Sequence, residues 1–318
     1  MIKAEELVEF DLDVIPKYLL MRDILKIDKD NKLMKNTKCK LLETKWVKDI
    51  VNLQWDDGSW GRFHSMSTSS KTSITTERAL RRLLILGLDK ADEPIQRVLS
   101  YMNKYLNRDL DLRDYKEKKH DWDLLTRLFV ATWIINIDPS NAEAKAIANK
   151  WANVITHAFS SANYDHEAYL EAYYETHKPE KGKVIWGFQN YYLVSILSGF
   201  LTASIESKFL DYIISKDKGI YYIYDGKLTA PPKIFPSKQS SRYIYAYELL
   251  SKYSCAKTKS NGFMNWLYEN VAKDGFWDMG QTVKDKMQYP LSNSWRRDLN
   301  RKIDCTIRIQ RILSQLEN

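Results

Sequence analysis

The sequence is poor in cysteine, glycine and proline. Its three cysteines, Cys39, Cys255 and Cys305, show no C-x-x-C spacing, which argues against a disulfide framework and fits a reducing environment. Only 11 glycines and 8 prolines interrupt 318 residues, so long helices are favoured. Strand-like alternation is weak and limited to 218–228.

Long apolar runs are also missing. None approaches the roughly 20 residues that a membrane-spanning helix needs, and the acidic N-terminal segment lacks the apolar centre of a secretion signal. We therefore expect a cytoplasmic protein. The net charge is +8 without a basic block, so we expect no nucleic-acid binding, whereas peripheral contact with an anionic membrane is compatible with the charge.

Aromatic residues and helical patterns are plentiful. The chain has 10 Trp, 20 Tyr and 10 Phe. Many segments carry an apolar face at helical spacing and predict an all-α protein. These segments are 41–53, 75–87, 93–106, 121–137, 142–159, 187–201, 205–215, 242–253, 261–272 and 302–316.

Glycine–aromatic turns suggest an internal repeat. Gly58, Gly219 and Gly275 each follow a predicted helix and precede an aromatic residue by one or two positions. Their spacing fits a unit of about 54 residues made of a helix, an aromatic turn and a second helix. Because no linker divides the chain, we expect one domain over 1–318, with a helical lead-in at 1–40 and an irregular loop at 218–241.

The first of these turns, LQWDDGSW (53–60), resembles the QW motif of squalene cyclases and the prenyltransferase/squalene oxidase repeat family. Gln54, Gly58 and Trp60 fill its Q-x(2–5)-G-x-W pattern, whereas a second copy keeps Gly275 and Trp277 without the glutamine. In the family, the glutamine caps helix ends and the tryptophan stacks on it. The resemblance implies an α/α toroid of about a dozen helices around a central cavity.

A class II terpene cyclase in this family would need a carboxylic acid that protonates an alkene or epoxide, supplied by a DxDD motif. The segment HDWDLLT (120–126) offers Asp123 as proton donor with Asp121 and His120 as partners, but Leu124 replaces the third acid. The alternative is that one of the aspartates simply caps the helix. Catalysis by this group therefore stays open at this point.

The protein prenyltransferases of the family need zinc held by an aspartate, a cysteine and a distant histidine. Asp304 and Cys305 are adjacent and no histidine follows them. None of the five histidines pairs with a cysteine at ligand spacing. We expect neither a metal site nor a cofactor.

The predicted helix starts combine cations with aromatic rings. Helix N-termini and arginines favour anions, and aromatic walls favour apolar or planar groups. We therefore expect an apolar or amphiphilic small molecule, such as a prenyl diphosphate, to bind there. The predicted ligand-binding residues are Arg62, His64, Arg78, Trp122, Trp186, Tyr191, Arg242, Tyr243, Trp295 and Arg296.

Two functions follow from these expectations. The first is a terpene cyclase-like or isoprenoid-binding toroid with an aromatic cavity. The alternative is a non-catalytic toroid that binds an anionic or planar ligand, or a protein partner, through an arginine-rich cavity mouth.

Overall fold

The computed structural model describes residues 1–64 and 74–317, and helices dominate this part of the chain. No strand is named within these ranges, where the only β-pairing is an isolated bridge between Asn190 and Tyr221. The prediction of an all-α protein is therefore confirmed, whereas the toroid stays a prediction. The irregular segment expected at 218–241 extends to the start of a helix at Lys238.

The α-helices are joined by connections that range from a few residues to more than twenty, as at 216–237 and 270–297. The first eight are α1 (Ala4–Leu7), α2 (Val14–Leu19), α3 (Lys32–Leu42), α4 (Lys45–Val51), α5 (Thr76–Leu86), α6 (Glu93–Leu106), α7 (Trp122–Ile137) and α8 (Ala142–Ala158). The others are α9 (His166–His177), α10 (Tyr191–Ile196), α11 (Ala203–Ser215), α12 (Lys238–Leu250), α13 (Ala256–Lys259), α14 (Asn261–Glu269) and α15 (Asp298–Glu317). A π-helical turn, Leu20–Ile24, and a 3₁₀ turn, Gln281–Val283, complete the set.

The described residues form two compact units. Unit 1 comprises Met1–Val98, Pro232–Ile244 and Gly262–Asn318, and unit 2 comprises Leu99–Pro231 and Tyr245–Asn261. A single domain over 1–318 stays a prediction.

Each unit contains a long helix that is buried over most of its length. In unit 2, α7 buries almost every residue from Leu125 to Ile137, and these residues are mainly apolar. In unit 1, α15 buries a mixed set that includes Asp304, Arg308 and Gln310. A helix buried on most sides lies in the core of its unit. The buried polar groups of α15 therefore need bonding partners inside unit 1.

The first aromatic turn, 54–60, is hydrogen-bonded to three helices of unit 1, namely α4, α5 and α6. The Gln54 amide donates to the Gly58 carbonyl and to the Pro94 carbonyl in the first turn of α6, both at 2.9 Å. The Trp60 indole is fully buried and donates to the Ile50 carbonyl in α4 at 2.8 Å. The Ile50 carbonyl lies in the last turn of α4, where helix carbonyls lack a partner within the helix, and the Trp60 indole supplies one. The QW role of Gln54, Gly58 and Trp60 stays a prediction.

The second aromatic turn, 271–277, repeats this geometry 217 residues later. Trp277 is fully buried, and its indole donates to the Leu267 carbonyl at 2.7 Å, again ten residues upstream. Its backbone N–H donates to the Thr306 hydroxyl at 3.1 Å, as that of the first turn does to Thr76 at 2.9 Å. Gly275 has a φ of 86° against 89° in the first turn. The brace therefore persists without the glutamine.

The third expected turn, after Gly219, has a different conformation. Gly219 is not among the residues with positive φ, and Tyr221, which would match the buried tryptophan, is 53% exposed. The Gln189 amide donates to the Gly219 carbonyl at 2.8 Å. The three-copy alignment is thus wrong at this position, because the glycine here lies against the carbonyls of Tyr224 and Gly226 rather than forming a bend.

Candidate functional site

The three residues predicted to carry catalysis lie at the start of α7 in unit 2. Asp121 is the N-cap: one carboxylate oxygen accepts from the Leu124 N–H at 3.1 Å and the other from the Glu180 N–H at 3.0 Å. This is the capping role that the sequence left open. Its second bond pins the connection between α9 and α10 to the start of α7.

Asp123 lies one position into α7 with its carboxylate exposed. Its side chain is 58% accessible and sits 3.2 Å from the Arg108 guanidinium. Proton donation to an alkene requires a carboxylic acid held in closed, apolar surroundings, which this position does not provide. The Nδ1 of His120 lies 2.7 Å from a carboxylate oxygen of Glu117, so this ring nitrogen is bonded to Glu117 and not to Asp121 or Asp123.

A cleft of about 300 Å³ opens beside these residues in unit 2, and we call it the cationic cleft. Its walls come from the end of α6, the first turns of α7, the middle of α8 and the end of α9. The lining residues are Arg108, Asp121, Asp123, Leu124, Arg127, Ile147, Lys150, Trp151, Thr176, His177 and Lys178.

Cations outnumber acids in the cationic cleft. Arg108 is paired with Asp123, and Asp121 is engaged by backbone N–H groups. Within the described part of the chain, no carboxylate lies within ion-pairing distance of the other three cations. They are Arg127, Lys150 and Lys178. Arg127 donates one N–H to the Leu106 carbonyl at 3.0 Å, which leaves its remaining donors available.

Two of the cations that line the cleft have a positive backbone φ angle. Arg108 has a φ of 67° and Lys178 a φ of 46°, a left-handed conformation that is uncommon for residues other than glycine and costs on the order of 1 kcal/mol. Both follow the last turn of a helix, α6 and α9 respectively, where a left-handed residue terminates the helix. The helix ends thereby direct both side chains to the cleft.

Two aromatic rings, those of Trp151 and His177, also line the cationic cleft. The Trp151 side chain on α8 is fully buried, and its ring centre lies 4.0 Å from that of His177 at the end of α9. Tyr173, one turn earlier on α9, packs edge-on against His177 at 5.2 Å. Burial, with a further contribution from Lys150, lowers the pKa of His177 to about 4. The imidazole is therefore neutral at pH 7.

A second cleft of about 230 Å³ shares Asp123 with the first. Its apolar wall consists of Tyr105, Leu112 and Trp122, and the Tyr105 hydroxyl bonds to the Thr126 hydroxyl. The other lining residues are charged and include Asp111, Asp114, Lys116, Glu117, Lys118, Glu180 and Lys183. We call it the aromatic cleft. The two clefts thus flank the first turn of α7.

The predicted ligand-binding residues of unit 2 are mainly packing residues. Trp122 packs edge-on against Phe129 at 6.1 Å, and Trp186 against the same ring at 5.5 Å. Tyr191 is buried and lies 5.7 Å from Trp133. Among these, only Trp122 lines one of the clefts described here.

The other predicted ligand-binding residues belong to unit 1 and divide by exposure. Arg78, Arg242 and Arg296 are exposed, and Arg62 is half-buried. His64 and Tyr243 are buried, and Tyr243 packs on Trp266 at 5.1 Å. Part of the predicted mouth, 65–73, lies outside the described residues.

Trp295 has a structural role in unit 1. Its indole donates to Asp304 at 2.7 Å, and the same carboxylate accepts from the Leu291 N–H at 2.7 Å and from the Ser292 N–H and hydroxyl at 2.9 and 2.6 Å. This buried carboxylate holds the loop that precedes α15. Trp295 is therefore an anchor of the loop, and its indole N–H is already used.

No group of three or more potential metal ligands occurs among residues 1–64 and 74–317. Asp304 and Cys305, which are adjacent and so lack the one-residue separation of the D-x-C pattern in a prenyltransferase zinc site, are both fully buried. Burial raises the pKa of the Cys305 thiol to about 12. A thiol with this pKa is protonated at pH 7.

Sequence patterns give little sign of the cations of the cleft. Arg108 falls in a predicted loop, Lys150 lies on a predicted helix like many other lysines, and His177 has no cysteine at zinc-ligand spacing. The one local signal is the four-residue spacing of Asp123 and Arg127, which places them on one face of α7. The rest depends on how α8 and α9 pack beside the start of α7.

Comparison with known proteins finds no matching family model, no similar curated protein and no similar solved structure. The relationship to the squalene cyclase family therefore stays a prediction based on the aromatic turns. None of the described helices combines the length and apolarity that crossing a membrane requires.

Proposed function

We propose that the protein binds a small anionic ligand in the cationic cleft of unit 2. The observation that carries this proposal is the set of three cations, Arg127, Lys150 and Lys178, that line one cleft without a carboxylate partner. Like charges brought together in a concave site repel one another and favour an anion between them. Anion binding would therefore relieve a repulsion that the fold itself creates.

The neighbouring aromatic cleft supports a ligand with an apolar or planar body. Tyr105, Leu112 and Trp122 offer apolar surface beside Asp123, next to the cationic cleft. An amphiphile such as a prenyl diphosphate would place its anionic head among the cations and its body along these rings. The ligand class is the one expected from the sequence, but the site differs, because the predicted arginines Arg62, Arg78, Arg242 and Arg296 belong to unit 1 and do not line this cleft.

Binding is favoured over cyclisation by the surroundings of Asp123. A proton donor to an alkene needs apolar enclosure, whereas Asp123 is exposed and paired with Arg108. Asp123 therefore serves to fix Arg108 at the rim of the cleft. Asp121 caps α7 and holds Glu180 in place.

We also propose that the helices form an α/α toroid. The two aromatic turns support this arrangement, because each is bonded to the preceding helix through an indole–carbonyl bond and to a threonine of the following helix, Thr76 in α5 or Thr306 in α15. The carbonyl of Gly275 in the second turn accepts from the Ile2 N–H at 2.9 Å, so that turn joins the beginning of the chain to its last third.

Binding of inorganic pyrophosphate and farnesyl diphosphate, measured by isothermal titration calorimetry, tests the proposal. We expect Lys150→Gln to weaken binding about tenfold, and the Lys150→Gln/Lys178→Gln pair further, because a charged hydrogen bond to an anion contributes about 1.5 kcal/mol or more. Affinity should fall as salt is added.

The matched control is Lys145→Gln, an exposed lysine on the same helix that does not line the cleft. We expect this variant to bind like the wild type. Failure of the wild type to bind either anion, or equal weakening by the control, would show that the cleft is not an anion site.

A further inference from the structure

His177 occupies an unusual position in the cationic cleft. Its ring lies 4.0 Å from the fully buried indole of Trp151 with the two planes tilted by 41°, and its Nε2 is buried without a hydrogen-bond partner. The Trp151 Nε1 beside it also has no partner. Buried polar atoms are nearly always bonded, so each exception calls for an explanation.

The groups that face His177 come from every helix around the cleft. Arg108 follows α6, Lys150 lies on α8 beside Trp151, and Lys178 follows His177 itself. From α7 come Asp121, Asp123 and Arg127. On α9 itself, Tyr173 contacts the ring, and burial raises the pKa of its hydroxyl so that it is neutral at pH 7.

These surroundings oppose a charge on the imidazole. Burial is the largest cause of the lowered pKa of His177, and Lys150 adds to it, whereas Asp121 acts in the opposite direction. The cleft's own residues thus keep the histidine neutral among cations. An anion that enters the cleft reverses this balance, because its charge acts on the ring across poorly solvated protein.

We infer that the cationic cleft takes a tetrahedral dianion of the phosphoryl type, and that its binding makes His177 take up one proton. The inference rests on the proposed function and adds to it the ligand class and the residue that responds. The proton comes from solvent and adds to a ring nitrogen of the neutral imidazole, giving imidazolium. No other bond changes.

The arrangement of donors favours a tetrahedral anion over a carboxylate. Arg127, Lys150 and Lys178 reach the cleft from three different elements, α7, α8 and the end of α9, and their donors do not belong to one planar fork. A carboxylate offers two oxygens in a plane, whereas phosphate and sulfate offer oxygens in several directions. A dianion also offsets more of the positive charge that keeps His177 neutral.

Proton uptake makes anion affinity depend on pH, because binding and protonation are linked reciprocally. Sulfate is the cleanest probe, since it remains a dianion between pH 5 and 8 and any change in affinity must come from the protein. If the pKa of His177 returns to about 6.5 in the complex, sulfate should bind about tenfold more tightly at pH 5.5 than at pH 7.5.

The experiment is calorimetric titration of sulfate at these two pH values with wild type, His177→Gln and His157→Gln. His157 is exposed on α8 and does not line the cleft. We expect the pH effect in wild type and His157→Gln and its loss in His177→Gln. NMR titration of the wild-type His177 ring with and without sulfate supplies the same test without a variant.

The outcomes separate the two proposals. Sulfate binding with no pH effect in wild type overturns the role of His177 and leaves the anion site standing. A pH effect that survives in His177→Gln also overturns that role. Acetate binding as tightly as sulfate overturns the ligand class, and absence of any anion binding overturns the proposed function itself.

Discussion

At the scale of single residues, two aspartates show how surroundings decide the role of a carboxylate. Asp123 is exposed and paired with one guanidinium. Asp304 is fully buried and accepts four hydrogen bonds, three of them at one oxygen. The first pairs with Arg108 at the rim of a cleft, whereas the second holds a loop in place.

Replacing Asp304 tests this structural role. Asp304→Ala should lower the free energy of unfolding by about 3 kcal/mol or more, because it leaves buried donors without an acceptor. Asp304→Asn should cost much less, since its carbonyl can accept from Leu291, Ser292 and Trp295 while its amide donates to the Ser292 hydroxyl. Urea unfolding followed by circular dichroism measures both.

A similar loss of stability in the two variants would contradict this account, because the hydrogen bonds would then not be what Asp304 contributes. Exposed Asp298, also on α15, provides a control in Asp298→Asn. Its exposed carboxylate pairs with Arg301, which keeps two bonds to Asp278 when Asp298 is replaced, and we expect a change within about 1 kcal/mol.

At the scale of elements, the two aromatic turns differ in what lies against their glycines. A Cβ at Gly58 would approach the Arg97 carbonyl in α6 to 2.3 Å, whereas one at Gly275 would approach the Ile2 nitrogen, near the start of the chain, at 3.0 Å. Both have nearly the same positive φ. The strain from φ is therefore matched, and only the steric clash differs.

Gly58→Ala should consequently destabilise the protein more than Gly275→Ala. We expect about 1 kcal/mol from the left-handed conformation in both variants. An additional cost of about 1–3 kcal/mol applies to Gly58→Ala, because a helix backbone must shift. The midpoints of thermal unfolding give the order, and an equal or reversed order would refute the clash.

The sequence predicts these elements unevenly. Helix α6 matches the predicted 93–106 at both ends, and α7 begins one residue after the predicted start because Asp121 is its cap. Helix α9 is not predicted, since it buries only Tyr169, Ala172 and Tyr173 and so shows little apolar periodicity. Without that helix, nothing in the sequence identifies His177 and Lys178 as neighbours of Asp121.

At the scale of the whole molecule, two buried groups give opposite dependences of stability on pH. The pKa of His177 is lowered to about 4 by burial, so between pH 6.5 and 4 the unfolded chain binds its proton and the folded chain does not. Stability is lost as pH falls through this range. Burial raises the pKa of Asp304 to about 6, so its contribution is lost as pH rises from about 4 to 6.

Each effect amounts to on the order of 1–3 kcal/mol. The single-domain prediction expects the chain to unfold in one transition, and the two effects then largely cancel in the wild type. Relative to wild type, His177→Gln should gain stability as pH falls from 6.5 to 4, and Asp304→Asn should lose it. Unfolding measured at pH 4, 5, 6 and 7 decides this. Parallel profiles for all three proteins would rule out both assignments.

What the sequence could establish at this scale was the class of fold. Composition and apolar periodicity predict an all-helical chain, and the structure confirms it. For the candidate site, the sequence predicts only its position near the acids at the start of α7. It does not predict the cations that reach this position from α8 and from the ends of α6 and α9. These charges are distant in sequence and come together only when the helices pack. The residues around Lys150 or Arg108 in the sequence do not indicate that packing. The cytoplasmic location and membrane contact stay predictions.

The aromatic turns also have a consequence for chain entropy. Each indole closes a loop of ten residues, whereas the Arg82 guanidinium reaches the Met287 carbonyl, 205 residues away. Since closure entropy grows with the logarithm of loop length, the short closure costs about 2.7 kcal/mol less than the long one. The indole–carbonyl bond between a helix and its aromatic turn can therefore form before distant parts of unit 1 assemble. This independence allows the same fastening to occur twice in one chain, with other side chains changed around it.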